Sequence, residues 1–468
     1  MKLKFTWFIL LLAIFVPFEV VILKYLPVSD VVYSYLRFAV EILIYLLAGL
    51  LLLRFLYLKK IPKGTSIDKP LLIFIGYALL ITVINQAPVF QAFMGLRVLL
   101  RYVPLFYVVA FINIDSATAR RIFQALIGIA AIQCGIAIYQ HYFGITAFWY
   151  PRASDLEIGG KQVSFRLLSS GFSGGREMGA GIGTFGDSVF LALFLVILFI
   201  LSVSALQKTI HIPRTHKWIY ATTLLLITLA LFFTYSRGSV LLAFAAVPVI
   251  LLLAGGRKKM IVYLSVGLLF ASPIILLGVF DNTGSSEPYI NPKIKYTDPL
   301  ANITTVFSSS YMDNTMQYSR GAVLTEVGGH LLSSFKLIGY SPAQEFALEK
   351  AATHLFGSNM PINNLPIIND VYWVAFIIYY GIIGIIIYFF ILFRIFKASV
   401  FVARFSNDPY FRIFAFAMAA LVIIAIPYSL ILRTFVFRAF GFYFWLLAGL
   451  VYSEWRRIKK AQALNLIN

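Results

Sequence analysis

The chain has 468 residues, 60% of them hydrophobic and only 12% charged; that is about half the charged share of a soluble domain and excludes an ordinary water-soluble enzyme. Its 39 Lys and Arg against 19 Asp and Glu leave a net charge of +20. In a membrane chain such an excess is first a matter of topology, not of a nucleic-acid partner.

At the N-terminus, Lys2 and Lys4 precede an apolar run over 5–23 with no small-residue cleavage site after it, so this run is read as a retained first span. A helix needs about 20 apolar residues to cross the hydrocarbon core. Eleven further segments meet that test, at about 36–58, 70–87, 96–113, 122–141, 188–206, 218–235, 238–254, 260–280, 370–393, 411–432 and 435–453. Arginines interrupt the fourth span and arginines or Pro427 the last two. The only cysteine, Cys134, falls in the fifth, so neither an intramolecular disulfide nor a cysteine metal site is available. The expected fold class is all-α, a polytopic membrane protein of about 12 transmembrane helices with both termini cytoplasmic. In that orientation 23 of the 39 cations lie inside, including the clusters at 59–63, 257–259 and 456–460, with only Asp68, Asp115, Asp408 and Glu454 beside them. The reverse orientation puts those clusters outside, against the positive-inside rule.

Two outward connections, about 142–187 and 281–366, are far longer than connectors need to be. The second contains Ser341-Pro342-Ala343-Gln344, a capping box with proline at the first helical position. Ala343, Phe346, Ala347, Ala351 and Leu355 follow at helical spacing, and Gly357 supplies a stop. A second helical pattern over 318–335 places Ala322, Val323, Val327 and Leu331 on one stripe. The chain thus divides into a membrane bundle over 1–280, a helical outer loop over 281–369, and the last three helices with a cytoplasmic tail over 370–468.

Ten arginines fall on the outward side: Arg37, Arg97, Arg101, Arg152, Arg166, Arg176, Arg237, Arg320, Arg433 and Arg438. Arg97 and Arg101 are one turn apart and point the same way, so their planar forks suit one multi-oxygen anion. The plainer reading of each is a side chain that snorkels to headgroups or pairs with Glu19, Glu41 or Asp187. Glu41 is the one acid well inside a span and lies one turn from Arg37, so a neutralising pair is expected; proton-coupled transport is the sharper alternative.

Thr234-Tyr235-Ser236-Arg237-Gly238-Ser239, ending one span and opening the next, resembles the Thr-x-Ser-Arg-Gly signature of the bacterial O-antigen ligase and polymerase superfamily. Gly183-Thr184-Phe185-Gly186 before the sixth span, Tyr318-Ser319-Arg320 leading a helix to Lys336-Leu337-Ile338-Gly339-Tyr340, and Tyr372-Trp373 followed by Gly381-Ile382-Ile383-Gly384 match further family motifs in the same order. The resemblance covers nearly the whole chain. It implies a GT-C-like helical bundle in the bacterial inner membrane with a large periplasmic loop. The implied activity is metal-independent glycosyl transfer at the outer face, with polyprenyl-diphosphate-linked oligosaccharide as substrate and no cofactor. Membrane lipids, and a flippase and a chain-length regulator of the same pathway, are the implied partners. The ligases of the superfamily carry a His about eleven residues before the glycine matching Gly381; this chain has Asn369-Asp370 there, which favours a repeat-unit polymerase over a lipid A-core ligase.

Such a reaction expels a lipid diphosphate, so preorganised arginines are the expected stabilisers of the developing charge. Arg237 and Arg320 match family motifs and are the first candidates; Arg97, Arg101, Arg176, Arg433 and Arg438 are candidates to hold the diphosphate. The attacking hydroxyl needs a proton acceptor. Asp370 sits near the position of the ligase His, and Glu326 with His330, one turn apart, is the other candidate, against the plain reading of a solvated helix face. His354 is read as packing and His141 as interfacial. The loop aromatics Phe148, Trp149, Tyr150, Tyr289, Tyr296 and Tyr311 suit either sugar stacking or packing. A secondary transporter is the main competing function, although no internal repeat is visible; a non-enzymatic partner in envelope assembly is the other.

Overall fold

A computed structural model describes residues 2–59, 64–144, 148–149, 157–158, 161–162, 180–255, 327–333, 336–356, 368, 371–430 and 432–464. Its regular structure is helical, apart from a two-residue pair of strands, Glu157–Ile158 and Lys161–Gln162. In chain order the helices are α1 (Lys2–Phe15), α2 (Glu19–Lys24), α3 (Asp30–Leu36), α4 (Ala39–Tyr57), α5 (Asp68–Ile84), α6 (Val89–Leu100), α7 (Val103–Phe111) and α8 (Ser116–Phe143), then α9 (Ser188–Ala205), α10 (Arg214–Phe233) and α11 (Arg237–Leu253). After them come α12 (Gly328–Ser333), α13 (Gln344–Phe356), α14 (Tyr372–Phe405), α15 (Pro409–Tyr428) and α16 (Arg438–Ala463).

Among the described residues, seven helices are long and apolar enough to cross a membrane, or eight if the bent pair α6 and α7 makes one span. The protein is therefore a polytopic helical membrane protein. α5 and α11 have 17 residues each, and α16 dilutes its apolar residues with Arg, Tyr, Trp and Gly. The segment 260–280, read from the sequence as a span, lies outside the described residues, as does the outer loop up to 326.

Helix α9 is apolar all round its circumference and nearly every residue is buried, as expected for a helix with no solvent or lipid face. It packs against α8, α10, α11, α15 and α16. α4 is the opposite case: Leu46, Leu50 and Leu53 are exposed, the face such a helix turns to lipid. Polar contacts gather the helix ends into two sets. At one end the Tyr107 hydroxyl donates to Asp68 (2.9 Å), Ile114 N to Ser453 Oγ (3.1 Å), and Ser406 Oγ to Glu454 (2.7 Å). At the other, Tyr25 stacks on Phe148, and Gly181 N donates to the Phe233 carbonyl (2.8 Å).

Three expectations need correcting. The span read at 96–113 is two helices, α6 and α7, meeting at 45°. Pro104 in the first turn of α7 has no N–H to offer and disfavours helical backbone in the residue before it, so the run breaks there. The span read at 370–393 is the 34-residue α14, interrupted at Gly381 with φ +66°. The expected capping box does not close as read: α13 begins at Gln344, and Ser341 Oγ accepts from Ala343 N at 3.1 Å instead of capping a helix that starts at Pro342. Proline there turns the chain, and its carbonyl lies against Gly95 of α6. The buried stripe Ala343, Ala347 and Ala351 is as expected.

Segment 180–187, before α9, is non-helical and buried. Irregular backbone at membrane depth persists only where protein satisfies its polar groups, and two glutamines of α8 do so. Gln140 Oε1 accepts from Ile182 N and Gly183 N at 2.8 Å each, and its Nε2 donates to the Gly183 carbonyl at 2.9 Å. Gln133 accepts from Thr184 N at 3.1 Å and donates to Thr184 Oγ1 at 2.6 Å. Asp187 then caps α9, accepting from Val189 N and Phe190 N.

Candidate functional site

The five described arginines among the candidate residues separate into three places. Arg97, Arg101 and Arg438 converge on Glu41: Arg97 Nη2 donates to Glu41 Oε2, while Arg101 Nη1 and Arg438 Nη2 each lie 3.5 Å from Oε1. Arg438 also reaches Glu19, at 3.6 Å. Three guanidiniums thus share two carboxylates. Glu41 is only 2% exposed, and the arginines 13–30%. Phe38 lies under the Arg97 guanidinium at 4.7 Å, Arg101 donates to the Val436 carbonyl, and Arg438 donates to the carbonyl of Arg37. Partners of Glu41 thus come from the end of α6 and from α16, while Arg37, the partner expected from spacing, acts electrostatically on Glu19 and accepts from Arg438 through its carbonyl.

A small cleft of about 20 Å³ opens on the far face of α6. Gly95, Val98 and Leu99 form one wall, Tyr372, Phe376, Tyr379 and Tyr380 of α14 another, and Gln344 at the start of α13, Arg433 and Val436 also line it. At about 100° per residue, the cleft residues of α6 point roughly 130° away from Arg97 and Arg101 round the helix axis. The five described candidate arginines therefore do not form one anion clamp. Arg433 faces the cleft, and Arg97, Arg101 and Arg438 are drawn into the Glu41 cluster.

Arg237 occupies the third place, the first position of α11. Thr234 Oγ1 donates to the Leu231 carbonyl (2.7 Å), Ser236 and Ser239 hydroxyls pair at 2.8 Å, and Ser239 pairs with the Tyr428 hydroxyl at 2.9 Å. Tyr428 ends α15, five residues before Arg433, so the two arginines share the same end of α15. A cation at a helix N-terminus meets the positive end of the helix dipole and costs about 0.3–1 kcal/mol. Arg438, also at the first position of its helix, has Glu19 and Glu41 to offset that cost.

Arg176, Arg320, Glu326 and Asp370 lie outside the described residues; His330 lies in α12, but its side chain does too. His141 stacks on Phe233 at 4.0 Å, and His354 on Tyr340 at 5.8 Å, so both sit in aromatic packing. Among the described residues, no three His, Cys, Asp or Glu side chains gather as a metal site requires. Sequence reasoning noted Tyr372 only within a motif and did not single out Gln133, Gln140, Tyr379 or Tyr380. The glutamines carried one signal, two amides seven residues apart on one face of an otherwise apolar helix.

No family model matches the chain, and no curated protein does.

Proposed function

We propose that this protein is a membrane glycosyltransferase that joins polyprenyl-diphosphate-linked oligosaccharide repeat units into O-antigen or exopolysaccharide at the outer face of the bacterial inner membrane. The proposed topology has twelve spans with both termini in the cytoplasm, the basic clusters inside and Arg237, Arg433 and the cleft outside. The observation that carries the reading is Arg237: in a motif whose hydroxyls are occupied by local structure, a cation stands at a helix N-terminus, where the dipole disfavours it. Arg237 shares that end of α15 with Arg433, which lines the cleft, and an anionic substrate is the reading this supports. In the proposed mechanism the acceptor hydroxyl attacks the anomeric carbon, the bond to the diphosphate oxygen breaks, and Arg237 and Arg320 neutralise the departing diphosphate, with Arg433 at the cleft side. Asp370, or Glu326 with His330, takes the hydroxyl proton.

Transfer to lipid A-core is the second activity within the superfamily, disfavoured by Asn369-Asp370 in place of the ligase His. For a secondary transporter, freed backbone groups of a broken helix would meet the solute. Here those of α14 bond to the chain's own segment 336–340, which removes that support.

The test is an in vitro assay on purified polyprenyl-diphosphate oligosaccharide. Wild type lengthens the glycan, and folded Arg237→Ala and Arg320→Ala do not; full activity in both variants would overturn the site.

A further inference from the structure

At Gly381 the chain turns through φ +66° inside α14, which frees the last carbonyls of the half-helix over 372–380 and the first N–H groups of the half after it. Segment 336–340 of the outer loop takes up both. Ile382 N donates to the Lys336 carbonyl at 3.1 Å, Ile383 N to the Leu337 carbonyl at 3.2 Å, and Tyr340 N to the Ile378 carbonyl at 2.8 Å. Two side chains of the bundle complete the junction: the Tyr77 hydroxyl donates to the Tyr380 carbonyl at 2.8 Å, and Asn85 Nδ2 to the Gly339 carbonyl at 3.2 Å. Gly339 and Gly381 interlock backbone to backbone. A Cβ at 339 would overlap the Tyr379 carbonyl and the Tyr380 nitrogen, and one at 381 the Leu337 carbonyl.

We infer that segment 336–344 and half-helix 372–380 are spliced into one cooperative unit, so that occupancy of the cleft is transmitted to the outer loop. Both parts line the cleft, Gln344 from the loop and Tyr372, Tyr379 and Tyr380 from the half-helix. Detaching the loop would strand at least Ile378 O, Ile382 N and Ile383 N in an apolar setting, so neither part leaves without the other. A ligand that presses on the tyrosine wall therefore loads the loop through the same hydrogen bonds. The splice rests on backbone geometry and is independent of the glycosyl-transfer reading.

Amide hydrogen exchange on the full-length protein in detergent tests it, comparing peptides covering 336–343 and 378–385. Asn85→Ala removes the bond to the Gly339 carbonyl from the loop side, whereas Tyr77→Phe removes a hydroxyl that serves both the Tyr380 carbonyl and the Gly339 backbone, and one bond is worth about fivefold in an opening equilibrium. The expected result is that each variant speeds exchange in both peptides by the same factor, of that order. Acceleration confined to the peptide nearer the substitution, or none in either variant, would overturn the cooperative unit. Gly339→Ala, the harsher variant, should expose both peptides together while α9 stays protected; exposure of 336–343 alone would refute the splice.

Discussion

Glu41→Gln is expected to be the most damaging single change to the end of the bundle where Arg97, Arg101 and Arg438 meet. Glu41 is the meeting point of Arg97, Arg101 and Arg438, and its loss leaves three guanidiniums with Glu19 alone. Removing one member of a buried ion pair costs about 3–5 kcal/mol, because the remaining charge stays out of water. The arginines here are 13–30% exposed, so about 3 kcal/mol is the appropriate end of that range. Arg97→Gln is different in kind. It leaves Glu41 with Arg101 and Arg438, for a cost of about 1 kcal/mol in line with a partly exposed pair. The difference of roughly 2 kcal/mol corresponds to about thirtyfold in the unfolding equilibrium. Denaturation in mixed micelles, followed by tryptophan fluorescence, measures it, and the double variant should recover part of the Glu41→Gln loss. Equal damage from the two single variants would refute the hub assignment. A Glu41→Gln protein as stable as wild type would refute it too, and would return Glu41 to the role of a proton-coupling acid.

Gln140→Leu should remove the partners of Ile182 N, Gly183 N and the Gly183 carbonyl; at about 1–3 kcal/mol per stranded group, the loss of folded protein in size-exclusion chromatography should exceed that of most α8 substitutions. Gly238→Ala places a Cβ 2.9 Å from Tyr428 Cε2, so Tyr428 must leave Ser239, and glycan polymerisation should fall at least tenfold while the protein still elutes as a folded monodisperse species. Asp115 caps α8, and hydrogen bonds from the Thr118 hydroxyl and then from Thr118 N hold its carboxyl below the usual range. A depressed carboxyl stabilises the fold above its unfolded value of about 4 and loses that contribution as pH falls through the lower folded value. Asp115→Ala should therefore lower stability by up to about 1 kcal/mol at neutral pH, with the gap to wild type closing in acid; a gap that widens there would reverse the assignment.

Fold class was legible because apolar length is a local property. Residues 188–206 read as a span and form α9 over Ser188–Ala205, with Asp187 supplying its cap. Breaks were less legible. Pro104 sits in plain view, but in a run as apolar as 96–113 the hydropathy carried through it, and only packing of α7 against α4 and α16 fixes the 45° turn. Gly381 was noticed as part of a motif, and its conformation depends on residues 336–340, more than 40 positions away. Charge pairing was the least legible. Arg97, Arg101 and Arg438, which share Glu41, come from the end of α6 and from α16, which sequence distance conceals.

The motif around Arg237 shows how a signature divides between fold and chemistry. Thr234 closes the end of α10, Ser236 and Ser239 link α11 to Tyr428, and Gly238 is where the Tyr428 ring approaches too closely for a side chain. These residues are accounted for by the junction of α10, α11 and α15, so a sequence could keep them for packing alone. The charge of Arg237 stands apart from them, since the dipole at the start of α11 disfavours a cation there. The discriminating substitution is therefore Arg237→Gln, which keeps hydrogen-bonding capacity and removes the charge. If Arg237 serves an anionic substrate, this variant should be at least as stable as wild type and lose activity. If it serves the junction, stability should fall, and Arg237→Lys should restore both stability and function, because a point charge suffices for packing but not for bidentate grip of a diphosphate.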